Sequence, residues 1–64
     1  MLMKLDQFLK FHGVASTGGE AKHLISSGLI TVNGLVEKRR GRKLCPDDLV
    51  CFDNRDYIVA HNES

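Results

Sequence analysis

The hydrophobic pattern of this 64-residue chain changes from a helical period to a period of two at Gly28. Before Gly28, apolar residues recur every three or four positions, and after it they tend to alternate, as in strands. Asn33-Gly34 follows the first alternating segment, and this pair is a strong β-hairpin signal because both turn residues tolerate positive φ. Helices therefore come first and a sheet second, which predicts an α+β domain.

The amino-terminal part predicts two short helices with a brief connection. Gly13 and Gly28 follow the two helical segments as stop signals. Thr17-Gly-Gly-Glu20 fits a capping box at the start of the second helix, with Ser16 as an alternative cap. Two apolar stripes define the packed faces: Leu5, Phe8, Leu9 and His12 in the first helix, and Ala21, Leu24 and Ile25 in the second.

The remainder predicts a small antiparallel sheet of three to five strands packed on the helices. Four segments have strand character, and turns at 46–48 and 53–56 bound the later two. The predicted strands are Leu29 to Val32, Leu35 to Arg39, Leu49 to Phe52 and Tyr57 to Ala60. A chain this short cannot close two cores, so we expect residues 1–60 to form one domain and 61–64 a tail.

Five of the nine basic residues lie in one short run that directly follows the hairpin signal, although the formal net charge is only +1. The run consists of Lys38, Arg39, Arg40, Arg42 and Lys43. Residues 1–45 carry eight Lys or Arg against three acids, whereas residues 46–64 carry one against five. This asymmetry predicts a basic face for a polyanion and an acidic face that leaves room for a protein partner.

Other functional classes are disfavoured by composition. Cys45 and Cys51 do not have the spacing of a zinc site, and we expect two reduced thiols near or in the core, with no metal or cofactor.

The first eleven residues are interrupted by charges, so they are neither a signal segment nor a membrane span, and a cytoplasmic location is expected. Asp6, His12 and Ser16 have reactive side chains, but so small a domain leaves little room for a pocket, so no catalytic residue is predicted. No large apolar stripe remains outside the core, which favours a monomer.

The ordered motifs of the chain resemble the RNA-binding domain first seen in ribosomal protein S4 of the small subunit, which recurs in pseudouridine synthases and bacterial tyrosyl-tRNA synthetases. The resemblance spans Lys4 to about Phe52. It is carried by Lys4-Leu-Asp6, Leu9, Gly13-Val-Ala-Ser16, Ala21, Leu24-Ile25, Gly28, Val32-Asn-Gly34 and Asp48-Leu-Val50. It implies a stand-alone small bacterial member of that family, with a helix pair and a sheet that present a basic surface to structured RNA.

Carried over by position, the RNA-binding residues implied by the resemblance are Lys4, Ser16, Thr17, Gly18, Gly19, Lys22 and the basic run. Many family members have Arg directly after the helix-opening Ser, where this chain has Thr17-Gly18-Gly19. Free amides at a glycine-rich helix start can hold a phosphate oxygen instead, and Lys22 lies one turn further along the same side. A second departure, Asp47-Asp48 in place of Gly-Asp, affects a turn.

These observations together predict a non-enzymatic protein that docks on ribosomal RNA or tRNA. The chain lacks Trp and has no evident stacking platform, so recognition of backbone and shape is expected, with hydrogen bonds from Ser16, Thr17 and Asn33 to 2′-hydroxyls. Three alternatives stay open. The basic run could be a solvated hairpin end, and the second helix could read DNA through Lys22, His23, Ser26 and Ser27. A β-grasp carrier or interaction module would share the Val-Asn-Gly turn, but such carriers end in Gly-Gly and this chain ends Asn-Glu-Ser.

Overall fold

Both predicted helices are present in the computed structural model, which describes residues 3–61. Helix α1 spans Leu5–Phe11 and α2 spans Gly18–Ser26. Gly13 and Gly28, at φ 74° and 79°, adopt the left-handed conformation that ends each helix, as the sequence predicts. The predicted cap at Thr17 is confirmed, because its hydroxyl oxygen accepts the Glu20 amide at 3.1 Å.

Within residues 3–61, six short strands form two antiparallel sheets, which confirms the α+β class. Their bounds are β1 Met3–Lys4, β2 Thr31–Val32, β3 Leu35–Val36, β4 Lys43–Leu44, β5 Leu49–Phe52 and β6 Arg55–Ile58. The main sheet has four strands in the order β3-β2-β5-β6, within the range predicted. The second sheet, β1 with β4, was not predicted, because two residues of strand carry too little period to detect.

Several predicted strand limits are wrong. The predicted strand at 29–32 pairs only through its last two residues, and that at 35–39 only through its first two. The last strand begins at Arg55 rather than Tyr57, because the turn before it is two residues long and not four. Asp53 and Asn54 have φ of 53° and 62°, so they form the same kind of turn as Asn33-Gly34. Short polar side chains allow this conformation without glycine.

The core lies between the helix pair and the inner face of the sheet. Val32 and Val50 are direct partners on β2 and β5 and are both buried, which fixes the register of the two central strands. Leu24, predicted as core, is only partly buried. The fully or almost fully buried hydrophobic residues are Leu5, Phe8, Leu9, Ala15, Ala21, Ile25, Ile30, Val32, Leu44, Val50 and Val59. Of the predicted tail, His61 is exposed, and residues 62–64 lie outside the described residues.

The turn before β5 departs from the pattern expected of the family at Asp47, which has a φ of 72°. Its amide donates to the Val59 carbonyl at 2.9 Å, so the turn joins the two ends of the β5–β6 hairpin. The conformation usual for glycine is thus kept by an aspartate whose side chain is exposed.

We expect Asp47→Gly to be more stable than Asp47→Ala by about 1 kcal/mol in the free energy of unfolding, because only alanine brings a Cβ into the left-handed region. Urea denaturation of the two variants measures the difference. Equal stabilities would mean that residue 47 does not hold a positive φ in solution.

Candidate nucleic-acid interface

A pair of lysines lies at the junction of the amino terminus and the basic run. Lys4 on β1 is the direct cross-strand partner of Lys43 on β4, and both are exposed. Directly opposed side chains share one face of a sheet, so two positive charges stand side by side. Like charges in this position destabilise a strand pair. The stability of the fold therefore does not explain this pairing.

The basic run is attached to the first turn of α1 by backbone hydrogen bonds. The Leu5 amide donates to the Arg42 carbonyl at 2.8 Å, and the Asp6 amide donates to the Arg40 carbonyl at 3.2 Å. A helix start leaves four amides without intrahelical partners, and here the run supplies acceptors for two of them. The run is thus a fixed turn against a helix, and the sequence predicted only a charged extension of the hairpin.

Glu37 is the one buried charged residue among residues 3–61, with 7% of its surface exposed. Its Oε2 atom accepts from Arg39 Nε at 3.1 Å, and its Oε1 atom accepts from Arg42 Nη1 at 2.8 Å. These bonds, first from Arg39 and then from Arg42, lower the pKa of the Glu37 carboxyl from 4.5 to about 2, against the opposing effect of burial. The carboxylate therefore stays charged and joins two arginines of the run.

We call Lys4, Arg39, Arg40, Arg42 and Lys43 the basic surface. Four of its members come from the run and the fifth is brought beside them by the β1–β4 pairing. Arg39, Arg42 and Lys43 line an open hollow together with Gly41. The side chain of Arg39 is 79% exposed and that of Arg42 31%, so both reach solvent while bonded to Glu37.

The side chain of the predicted member Lys38 runs toward α2. Its Cε atom would be 3.6 Å from a Cβ at Gly28, so its aliphatic stem crosses the carboxyl end of α2. Gly18 and Gly19 are at the other end of that nine-residue helix, about 13 Å away at 1.5 Å per residue. A single phosphate cannot contact both ends, so the predicted residues form at least two separate contact points.

The amino end of α2 presents two exposed glycines in its first turn. A Cβ at Gly18 would meet nothing within 4 Å, and one at Gly19 would meet only the Thr17 hydroxyl oxygen at 3.9 Å. Neither residue has a positive φ. Packing and backbone conformation among residues 3–61 thus do not require glycine here. Ser16, Thr17 and Lys22 are exposed beside them.

Asn33 has a structural role that the sequence did not predict. Its side-chain nitrogen donates to Asp48 Oδ1 at 3.0 Å, and its side-chain oxygen accepts the Leu49 amide at 2.9 Å. The Asp48 carboxylate also accepts the Cys45 amide at 2.8 Å, the contact that contributes most to lowering its pKa. Asn33 therefore links the hairpin turn to β5, and its second side-chain N–H and second oxygen lone pair are left for the predicted contact with RNA.

Neither thiol lies in the buried core. Both are free, but Cys45 is exposed, which corrects its predicted place near the core. Cys51 is half-buried on β5, and its thiol donates to Asp56 Oδ1 at 3.0 Å, which raises its pKa. Residues 3–61 contain no group of three or more His, Cys, Asp or Glu that could hold a metal ion. Within the same range, no helix is long and apolar enough to cross a membrane.

The outer face of the main sheet is partly apolar and uncovered. Leu29, Val36 and Ile58 are 52%, 57% and 55% exposed. Val36 and Ile58 belong to the face opposite the buried Val32 and Val50, as the strand register requires. The expectation of a monomer rested on the absence of a large apolar stripe, and the oligomeric state stays a prediction.

Comparison with known proteins agrees with this architecture. The sequence pattern of the S4 domain matches residues 2–60, so the chain belongs to the S4-domain family, as its motifs predicted. It is also 43% identical over 49 residues to the probable ribosome maturation protein RlbA of Bacillus subtilis (strain 168). That alignment covers 77% of this chain and 69% of the relative.

We expect the protonation of Glu37 to lower the free energy of unfolding at acid pH. Because its pKa is lowered on folding from 4.5 to about 2, its contribution is complete above about pH 4.5 and is lost as the pH falls toward 2. The difference in the free energy of unfolding between the wild type and Glu37→Gln should therefore shrink from pH 5 to pH 2, as measured by urea denaturation. A difference that does not vary with pH would contradict the ion pairs.

Proposed function

We propose that this protein is a non-enzymatic RNA-binding protein that docks on structured RNA and acts in ribosome assembly. Membership of the S4-domain family and the likeness to a probable ribosome maturation protein support the RNA partner and the process. The observation that carries the assignment to this chain is the Lys4–Lys43 pair beside the arginine turn, a concentration of charge that costs stability and is explained by an anionic ligand.

The basic surface is the main contact in this proposal. Its arginines can each form two parallel hydrogen bonds with a phosphate, whereas Lys4 and Lys43 act as point charges. No base-reading geometry is needed for such contacts, which suits recognition of backbone and shape in a folded RNA. Ribosomal RNA is the favoured target, because the relative is named for ribosome maturation, and tRNA is the alternative.

The amino end of α2 is the second contact. Among residues 3–61, the Gly18 and Gly19 amides have no acceptor, since Thr17 accepts from Glu20 and Ala21. Free amides and the helix dipole favour an anion at this position, and glycine lets a phosphate approach the backbone closely. Lys22 supplies a side-chain cation on the next turn.

Lys38, Ser16 and Thr17 can add peripheral contacts, and Asn33 can contribute through the side-chain N–H and the oxygen lone pair that its two bonds leave unused. The exposed carboxylates of Asp53 and Asp56 would repel phosphate. Asp53 and Asp56 are exposed beside the uncovered apolar face of the sheet, so we assign that face to a protein contact rather than to RNA. Action on ribosomal RNA implies a cytoplasmic location, and the monomeric state is proposed separately.

The double variant Arg40→Glu/Lys43→Glu should bind purified ribosomal RNA at least about tenfold more weakly, because two phosphate contacts become repulsive. Filter binding across a salt series measures it. If about five phosphates are neutralised, the wild-type slope of log affinity against log salt should be roughly −3.5 to −4.5, and the variant's shallower by about 1.5.

Lys10→Glu/Arg55→Glu is the matched control, since it makes the same change of charge at exposed positions outside the proposed contacts. Circular dichroism should show both double variants folded. Equal losses of affinity in the two would refute a localised site and leave only an effect of net charge.

Gly18→Ala/Gly19→Ala should separate binding from stability. We expect the free energy of unfolding to rise by about 0.5–1 kcal/mol, because alanine favours the helix and meets no clash. Affinity for ribosomal RNA should nevertheless fall several-fold, since two methyl groups cover the amides. Unchanged affinity in a variant of raised stability would remove the α2 contact from the proposal and leave the basic surface in place.

A further inference from the structure

Glu37 is held on the inner side of the basic surface by its own backbone. Its amide donates to the Ile30 carbonyl at 3.0 Å, just beyond the paired residues of β3. The carboxylate is 9% exposed, and in addition to its ion pairs it accepts the Arg39 amide at 3.3 Å. A negative charge thus lies buried directly beneath the positive charges that would meet RNA.

The geometry of the ion pairs leaves part of each guanidinium free. Arg39 uses Nε, at 3.1 Å, and more weakly Nη2, at 3.5 Å, to contact Glu37. The Nη1–Nη2 edge of Arg39 is therefore available, on a side chain that is 79% exposed. Arg42 donates to Glu37 through Nη1 alone, so its other N–H groups remain available. Either arginine could hold Glu37 and a phosphate at once.

The backbone of the same segment is fixed from a second direction. The carbonyls of Arg40 and Arg42 accept amides from the start of α1, and the Arg42 amide closes the turn on the Arg39 carbonyl at 3.2 Å. Backbone and side chains are thus ordered before any ligand arrives. Ordering a mobile side chain on binding costs conformational entropy, so prior order raises affinity.

We propose that Glu37 is a positioning residue for RNA binding, which orders Arg39 and Arg42 so that their free guanidinium edges meet phosphate. This inference rests on the proposed function. It predicts an effect opposite in sign to that of charge alone. A buried carboxylate near phosphates repels them, so counting charges predicts that its removal tightens binding, whereas positioning predicts that its removal weakens binding.

The experiment compares Glu37→Gln with the wild type on purified ribosomal RNA, by filter binding over a salt series at neutral pH. We expect about tenfold weaker binding, equivalent to about 1.4 kcal/mol, and a salt slope shallower by about one because fewer phosphates are neutralised together. Glu37→Asp should recover part of the affinity. Asp53→Asn is the control for loss of one negative charge, at an exposed site in the β5–β6 turn, and should bind as the wild type or slightly more tightly.

Arg39→Lys provides a second test, which keeps the Glu37 carboxylate in the protein and changes only its partner, and it applies if Glu37→Gln fails to fold. It keeps the positive charge but removes the second edge, so a lysine cannot hold Glu37 and phosphate side by side. We expect several-fold weaker binding with unchanged circular dichroism, whereas Arg55→Lys, the same exchange on β6, should have no effect. Wild-type affinity in Arg39→Lys, or equal or tighter binding by folded Glu37→Gln, would overturn the inference.

The two levels of the proposal fail in different ways. If the wild type binds neither ribosomal RNA nor bulk tRNA, the proposed function fails and the inference falls with it. If the wild type binds and Arg40→Glu/Lys43→Glu weakens binding, but folded Glu37→Gln does not, the RNA site stands and only the positioning role is lost.

Discussion

The hydrogen bonds between the first amides of α1 and the carbonyls of Arg40 and Arg42 connect the proposed RNA-binding segment to the helix that forms part of the core. They join residues that lie more than 30 positions apart in the chain. The start of the helix gains acceptors that its own sequence does not provide, and the basic run gains a defined backbone. A surface loop would otherwise sample many arrangements of its charges, and each would have to be ordered on binding.

This arrangement also determines which helix start is open to a ligand. At α1 the amides of Leu5 and Asp6 are used internally, and the Gln7 amide donates to the Asp6 carboxylate at 2.8 Å. At α2 the exposed glycines leave the first two amides without an acceptor among the described residues. Two helix starts of similar chemistry therefore have different roles, one structural and one proposed for phosphate, because only one lies against the basic run.

The domain combines a small buried core with a surface of unfavourable charge. The eleven buried hydrophobic side chains of the described part of the chain come from both helices, both sheets and the segments between them, so no element is stable alone. Against this modest margin, the like-charged Lys4–Lys43 pair is a cost, which the buried Glu37 partly offsets by joining two arginines. Natural domains retain such costs mainly at functional sites. The position of this charge repulsion therefore agrees with the position of the proposed RNA contact.

The sequence by itself determined whatever depends on neighbours in the chain. Periodicity placed the two helices, the Thr17 hydroxyl marked the start of α2, and Asn33-Gly34 marked the hairpin, because each is a local choice of backbone conformation. The motifs were also sufficient to identify the family. The turn at Asp53-Asn54 was predicted too long, since neither residue is glycine and its left-handed conformation is set by the register of β5 and β6.

Tertiary structure alone decided the composition of the candidate site. Pairing of β1 with β4 brings Lys4 beside Lys43. The buried Glu37 carboxylate accepts hydrogen bonds from both Arg39 and Arg42 and so connects them. Tertiary structure also directs the Lys38 side chain past the carboxyl end of α2 and bonds the Asn33 side chain to Asp48 and Leu49. These outcomes depend on contacts between distant segments and on the exclusion of water, which no local pattern of residues records.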